Sequence, residues 1–206
     1  MRLNPKLFIL LGLVLVLGYF LQDLVLNDEQ YVARIEKERH AKNDEFRRVQ
    51  GSPLSAEQRQ EFDSLHYYAP DKTYRLTAEF EPFPMRDTIA MRLTDGKAEK
   101  YLRWGRASFE WQKQPQRLTV FRKANGPDTT LFIPFTDKTN GFDTYGGGRY
   151  LDADPVAEGD DEIVLDFNKA YNPFCAYNVS FACPVPPAEN ILSVYIKAGE
   201  KTFHKD

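Results

Sequence analysis

The sequence predicts a mainly β fold, an antiparallel β-sandwich or partly open barrel preceded by helices. Apolar and polar residues alternate from Thr73 onward, as on strands with one buried face. Turn-forming residues separate short strand candidates at regular spacing, which is typical of antiparallel all-β domains. Aromatic residues make up 14% of the chain, and Phe and Tyr, which favour strands, far outnumber Trp.

The 206-residue chain divides into three predicted parts. Residues 1–26 form a membrane anchor or signal, residues 27–66 a helical lead-in, and residues 67–206 a β-rich globular domain. The balance of 42% apolar and 28% charged residues is that of a folded protein. The net charge of −3 lacks the basic excess of nucleic-acid-binding proteins, so we expect no nucleic-acid partner.

The N-terminus predicts contact with a membrane through residues 7–26. Arg2 and Lys6 precede an unbroken apolar run over residues 7–21, which residues 24–26 extend. A spanning helix needs about 20 apolar residues, so an uncleaved anchor, a cleaved signal peptide and a buried core helix all remain alternatives. The lack of a small-residue cleavage site favours the uncleaved anchor.

Positive charge before the apolar run places the N-terminus in the cytoplasm. The globular domain is then extracytoplasmic, on the periplasmic side, and signal cleavage would instead release a secreted domain.

The sequence of the lead-in, residues 27–66, predicts two helices. The first, over residues 27–50, has a partial apolar face made by the four residues Tyr31, Ile35, Phe46 and Val49. The dense mixed charge over residues 36–48 indicates a solvated helix that spaces the domain from the bilayer. Ser55 and Gln58 have the spacing of a capping box, which predicts a short second helix ending near Leu65.

The sequence of the globular domain predicts a succession of strands. Tyr74, Leu76, Ala78 and Phe80 share one face of the first strand, which Pro82 ends. Ile89 to Leu93 repeat the pattern, and Asp95-Gly96 supplies a hairpin turn. Further strands are predicted at residues 99–111, 117–122, 130–135, 163–167 and 191–197.

Polar and conformationally special residues are concentrated after residue 134, in the runs Tyr145 to Asp152, Asp166 to Cys175 and Cys183 to Gly199. These runs resemble the DUF1684 family of uncharacterised bacterial proteins. The resemblance is strongest over residues 131–201 and weaker from about residue 40 onward. Where the family often has a glutamate before a Thr-Tyr pair, this chain has Asp143. The resemblance implies a shared fold and a shared site, but no reaction.

We predict a ligand site in these runs because polar groups on loops over a rigid sheet commonly bind ligands. The candidates are Tyr145, Arg149, Asp166, Asn168, Tyr171, Asn172 and Glu189. The planar fork of Arg149 suits a carboxylate or phosphate, so the ligand would be small and anionic. Structural roles are the alternative: residues 146–148 as a bulged turn, and the Asp and Asn side chains as partners of their own backbone.

Three functions fit these residues. The leading hypothesis is a membrane-tethered binding or structural domain. The second is a hydrolase-like enzyme in which Asp166 or Glu189 acts as a base beside Arg149, although no catalytic signature is present and catalytic residues are unknown. The third is an envelope scaffold, whose protein partners the sequence does not indicate.

The two cysteines, Cys175 and Cys183, enclose seven residues. Outside the cytoplasm such a pair predicts a disulfide, with two reduced buried thiols as the alternative. Their spacing is not that of a zinc site, and the acidic loop over residues 152–162 does not match a calcium-binding loop. We therefore predict no metal and no cofactor.

Overall fold

The computed structural model describes residues 27–48, 50–124 and 129–203. The predicted anchor at residues 7–26, together with Val49 and the turn near residues 125–127, lies outside the described residues. Within the described ranges, no helix is both long and apolar enough to cross a membrane.

The described chain contains two α-helices and seven strands. Helix α1 covers residues 27–47 and helix α2 covers Ala56–Glu61. The strands are β1 (Arg75–Pro82), β2 (Thr88–Arg92), β3 (Ala98–Trp111), β4 (Gln114–Lys123), β5 (Leu131–Phe135), β6 (Arg149–Ala153) and β7 (Glu162–Asp166). The capping box of α2 forms as predicted, with Ser55 and Gln58 each accepting the other's backbone N–H.

All strand pairs are antiparallel and belong to one sheet, in the order β6-β5-β4-β3-β1-β7. Strand β2 pairs with the first part of β3, whereas β1 pairs with residues further along the same strand. Strands β6 and β7 also contact each other, so the sheet curls into a half barrel. The structure therefore confirms the mainly β antiparallel prediction in its partly open barrel form, and the sandwich form is wrong because one sheet curls on itself.

The hairpin turns follow from local chemistry. Gly96 turns the β2–β3 hairpin with a φ of +86°, as the Asp-Gly pair predicts. The β3–β4 hairpin turns instead at Gln112 and Lys113, both with positive φ, and Pro115 lies inside β4 opposite Glu110.

The predicted strand at residues 191–197 is wrong. This stretch belongs to a longer one, residues 191–200, which we call the C-terminal segment. The segment is extended but forms isolated bridges rather than a ladder. Side chains bind part of its backbone: Ser193 N–H donates to Gln116 Oε1 at 3.2 Å, and Ile196 N–H donates to Asp137 Oδ1 at 3.3 Å. Main-chain atoms of other segments bind the rest, as where the Tyr68 N–H donates to the Gly199 carbonyl. Leu192, Val194, Ile196 and Ala198 nevertheless enter the main core, which explains the alternating pattern.

Strand β6 was not predicted, because its residues were attributed to a polar, glycine-rich string. Its register runs from Phe135↔Arg149 to Leu131↔Ala153, and four of its five residues are buried. A buried charged residue at the first position hides the strand pattern from sequence inspection.

Helix α1 packs on the domain, so the prediction that this helix is solvated is wrong. Its predicted apolar residues Tyr31, Ile35 and Phe46 are buried, as expected. Polar side chains on the same helix are also buried and bind the domain: Asn43 Oδ1 accepts the Leu65 N–H at 3.0 Å, and Arg39 donates to the Tyr68 carbonyl at 2.9 Å.

We expect Gly199→Ala to destabilise the domain far more than Gly96→Ala. Both glycines have positive φ, +75° and +86°, so both substitutions carry the same backbone strain of about 1 kcal/mol. At Gly199 a Cβ would also lie 2.6 Å from the Ala170 carbonyl oxygen and 2.7 Å from that of Phe167, whereas at Gly96 it would meet open space.

Overpacking of this kind adds about 1–3 kcal/mol. Urea denaturation of the two variants measures the difference. Equal losses in the free energy of unfolding would show that the segment does not approach residues 167–170 as closely as described.

Candidate functional site

Arg149 is the most deeply buried charged residue and its side chain is fully enclosed. One terminal nitrogen binds Asp137 Oδ2 at 2.7 Å and the Ile196 carbonyl at 2.9 Å. The other donates to the carbonyls of Ala198 and Glu200. The two terminal nitrogens of the predicted anion-binding fork are thus occupied by the protein itself, and they cross-link Arg149 to the C-terminal segment. Its Nε is buried and has no hydrogen-bond partner among the described residues.

Asp166 and Asn168 are both buried and hold the start of α1 against the domain. Asp166 Oδ1 accepts the Tyr31 hydroxyl at 2.8 Å, and Asn168 donates to the same hydroxyl oxygen at 2.8 Å. Asn168 also exchanges two hydrogen bonds with the Asp71 backbone. Burial, and then the hydrogen bond to Asp166, raise the pKa of Tyr31, so its hydroxyl remains a donor.

Asn172 belongs to a second buried cluster, which is centred on the carboxylate of Glu200. That carboxylate accepts the Asn172 side-chain amide at 3.0 Å, the Lys42 ammonium at 2.7 Å and the Tyr177 hydroxyl. Glu200 is only 1% exposed, and these three donors, with the Asn172 backbone N–H at 3.4 Å, compensate the loss of its hydration. The cluster ties α1 to the loop that follows β7.

The remaining candidates are dispersed. Tyr145 is half-buried, and burial, then Cys175, raise its pKa to about 12. The Tyr171 hydroxyl donates to Asp152 at 3.0 Å. Glu189 is largely exposed and pairs with Arg103 at 3.5 Å, so it has different partners from Arg149 and Asp166.

The glycine string is a turn, as the structural alternative predicted. The Gly148 N–H donates to the Tyr145 carbonyl, and Gly148 has a φ of +96°. A Cβ at this residue would lie 2.8 Å from the Phe135 carbonyl oxygen. The glycine therefore permits the close approach that starts strand β6.

Cys175 and Cys183 are free, buried thiols, which corrects the predicted disulfide in favour of its alternative. The Cys175 N–H donates to Cys183 Sγ at 3.0 Å, so the sulfur has a polar partner without a bond. Burial, and then the Cys175 side chain, raise the pKa of the Cys183 thiol to about 12. Such a thiol is protonated at neutral pH and unreactive.

A groove of about 690 Å³, which we call the α1 groove, lies between α1 and the domain. One wall is α1 from Ile35 to Phe46 together with Arg48, which follows the helix, and the other is formed by Tyr67 and the loop that follows β7. Its principal side chains are Ile35, Arg39, Lys42, Phe46, Tyr67, Asn168, Lys169, Tyr171 and Phe174. Of the seven predicted site residues, Asn168 and Tyr171 lie here.

Arg39 is the groove's distinctive group. Its residue is 8% exposed, and its guanidinium carbon lies 4.4 Å from the centroid of the Tyr67 ring. One terminal nitrogen donates to the Tyr68 carbonyl at 2.9 Å and to Glu36 at 3.4 Å, and the other donates to the Asn168 carbonyl at 3.5 Å. The third nitrogen, Nε, has no hydrogen-bond partner in the described structure. Burial lowers the pKa of Arg39 from its ordinary value.

Tyr67 supplies a second unsatisfied group. Its hydroxyl is buried and likewise has no hydrogen-bond partner among the described residues. Burial, and then the charge of Glu200, raise the pKa of Tyr67, so the group stays protonated and can donate.

Sequence inspection missed Arg39 and Lys42, although a signal was present. Ile35, Arg39, Lys42 and Phe46 are spaced by four, three and four residues, which places them on one face of a helix. Two cations between buried apolar residues indicate charges that face the domain.

The chain is similar to known proteins. The family model described as "Protein of unknown function (DUF1684)" matches residues 60–201. A solved solution structure, that of an uncharacterised protein from Haloarcula marismortui, is similar over 85% of this chain and 96% of its own. The two share 37% sequence identity with a TM-score of 0.68. Among curated proteins, none matches the chain significantly.

We expect Asp137→Ala to lower the free energy of unfolding by about 3–5 kcal/mol, because it leaves the Arg149 charge buried without its counter-ion. Both side chains of this pair are fully buried. The matched control is Glu81→Ala, which removes the partner of Arg106 in an exposed pair 3.6 Å apart and should cost about 0–1 kcal/mol. Chemical denaturation measures both, and similar losses would contradict the structural role of Arg149.

We expect Cys183 to resist alkylation in the folded protein. The folded state holds the thiol proton more tightly than the unfolded state, in which the pKa of Cys183 is near 9.0. The protonated thiol therefore contributes fully to the free energy of unfolding below pH 9.0, and this contribution is lost as the pH rises towards 12.

At about pH 8, iodoacetamide should modify native Cys183 on the order of a hundredfold more slowly than in concentrated urea, because the thiolate is the reactive form. Peptide mass spectrometry follows the modification. Equal rates in the two conditions would exclude the buried, protonated thiol.

Proposed function

Since this chain belongs to the DUF1684 family, whose name assigns no activity, we propose a function from its groove: the domain binds a small anionic ligand beside α1. The observation that supports this is the buried Arg39, whose Nε and neighbouring Tyr67 hydroxyl lack partners among the described residues. A buried polar group without a hydrogen bond costs about 1–3 kcal/mol. A ligand oxygen that accepts both donors would remove that cost.

The donors in the groove determine the sign of the ligand's charge. Arginine remains charged in proteins and offers only donors, and the Tyr67 hydroxyl is kept protonated. Glu36, which lies 3.4 Å from Arg39, has a side chain that is 45% exposed, so it compensates the buried charge weakly. A carboxylate or phosphate is therefore the complementary group.

Two of the other three cations that line the groove are already neutralised, and the third, Arg48, is exposed. Lys42 binds the buried Glu200 at 2.7 Å, and Lys169 pairs with Glu38 at 2.9 Å. The ligand's charge is thus assigned to Arg39 rather than to a general basic surface.

We also propose that the domain is tethered to a membrane by residues 7–26 and faces the periplasmic side. The support is the apolar run and the positive charges before it. Helix α1 is described from residue 27 onward, so the groove wall begins only a few turns after the proposed membrane segment.

The hydrolase-like alternative has less support. It requires Asp166 or Glu189 beside a ligand-facing Arg149, whereas the Arg149 fork is closed on Asp137 and three carbonyls. Glu189 lies instead beside Arg103.

The test is binding of 1-anilinonaphthalene-8-sulfonate, an aromatic anion, followed by its fluorescence. We expect one site, and we expect Arg39→Met to weaken it roughly tenfold, since a hydrogen bond to a charged group contributes about 1.5–3 kcal/mol. Lys37→Met removes an exposed cation from the same helix and should change affinity less than about twofold, as exposed charges contribute little.

Tyr67→Phe is the second variant, because it keeps the ring beneath Arg39 and removes only the hydroxyl. It should weaken binding several-fold with native circular dichroism. Unchanged affinity in both Arg39→Met and Tyr67→Phe would refute an anion site in the groove.

A further inference from the structure

The α1 groove has an elongated shape, and apolar atoms make up most of its open lining. Along α1, its lining residues Ile35 and Phe46 are eleven residues apart, which corresponds to about 17 Å of helix. Gln50 and Gly51 extend the lining beyond the helix. A cavity of about 690 Å³ drawn out over this length suits a long, slender ligand rather than a compact one.

Several polar side chains along the walls are satisfied within the protein, and three others, Glu45, Arg48 and Gln50, are exposed. Asn168 is bound to Tyr31 and Asp71, Lys42 to Glu200, and Lys169 to Glu38. An extended peptide would bring an N–H and a carbonyl at every residue and leave many of them without partners in this groove. A ligand with one polar end and a body without hydrogen-bonding groups matches the walls better.

The apolar lining supports such a body. It comes from both walls: Ile35, Ala41, Phe46, Ala170, Tyr171 and Phe174. Phe174 is 44% exposed even though its ring contacts Phe181, so an apolar ligand beside it would cover surface that water now meets.

The unsatisfied donors mark one end of this lining. Arg39 lies one turn from Ile35 and two turns from Phe46 on the same helical face. A head group on Arg39 and Tyr67 would leave about two turns of helix, and the loop beyond, for the body of the ligand.

We propose that the ligand is a long-chain aliphatic carboxylate, with its carboxylate on Arg39 and Tyr67 and its alkyl chain along α1 toward Phe46 and Phe174. This inference rests on the proposed anion site and names its ligand class. The helix that forms the wall follows the proposed membrane segment, which places the groove near a source of such molecules.

The test is a chain-length series measured by calorimetry on the full-length protein: hexanoate, octanoate, decanoate and dodecanoate, with decanol for comparison. Each buried CH₂ contributes about 0.8 kcal/mol at most, so affinity should rise up to about fourfold per carbon until the groove is full. Decanol should bind roughly tenfold more weakly than decanoate, because it lacks the charge that Arg39 complements.

Two variants separate the ends of the ligand. Arg39→Met should bring decanoate to the affinity of decanol and leave the increase per carbon unchanged. Phe174→Ala should reduce the gain for the longer chains only, and its control is Phe142→Ala, which removes an 85% exposed ring that does not line the groove.

The outcomes distinguish this inference from the anion site itself. If 1-anilinonaphthalene-8-sulfonate binds through Arg39 but affinity does not rise with chain length, the aliphatic ligand is wrong and the anion site stands. If affinity rises with chain length but Arg39→Met changes nothing, the carboxylate is misplaced and the inference fails. If neither the probe nor the series binds, both proposals fail.

Discussion

The buried ion pair between Arg149 and Asp137 is the interaction on which the rest of the structure depends. A half-barrel sheet leaves its core open on one side, and here the C-terminal segment closes it with Leu192, Val194, Ile196 and Ala198. Since this segment forms no ladder, its carbonyls need other donors. Arg149 supplies them for the carbonyls of Ile196, Ala198 and Glu200, and Asp137 balances the charge that this requires.

A second buried charge extends the same closure to α1. Glu200, at the end of the C-terminal segment, binds Lys42 of the helix and Asn172 and Tyr177 of the loop after β7. The two walls of the α1 groove are therefore fixed to one carboxylate. The groove is therefore a consequence of how the core is closed. It lies between a helix and a loop, and both of them bind the C-terminal segment.

The sequence predicted what depends on neighbours along the chain. Alternation located β1 and β3, the Asp95-Gly96 pair located a hairpin, and the Ser55–Gln58 spacing located a helix cap. It failed where the outcome depends on distant partners. Arg149 resembled an anion site because its acceptors lie 12 to 51 residues away, in segments whose proximity no local pattern reveals. Arg39 and Lys42 were missed for a similar reason, since a helix face of mixed charge cannot be assigned to solvent or to protein without knowledge of the surface it packs on.

The density of special residues after residue 134 therefore has a structural cause. A core closed by an irregular segment needs side chains to satisfy backbone groups, which a regular strand would satisfy by pairing. Arg149, Asp137, Gln116 and Asn190 serve this purpose, and each binds main-chain atoms of another segment. Because these side chains are occupied, apart from the enclosed Nε of Arg149, ligand chemistry falls to the few other buried groups that the fold leaves unsatisfied. In the α1 groove these are Arg39 Nε and the Tyr67 hydroxyl, on elements that precede the polar runs.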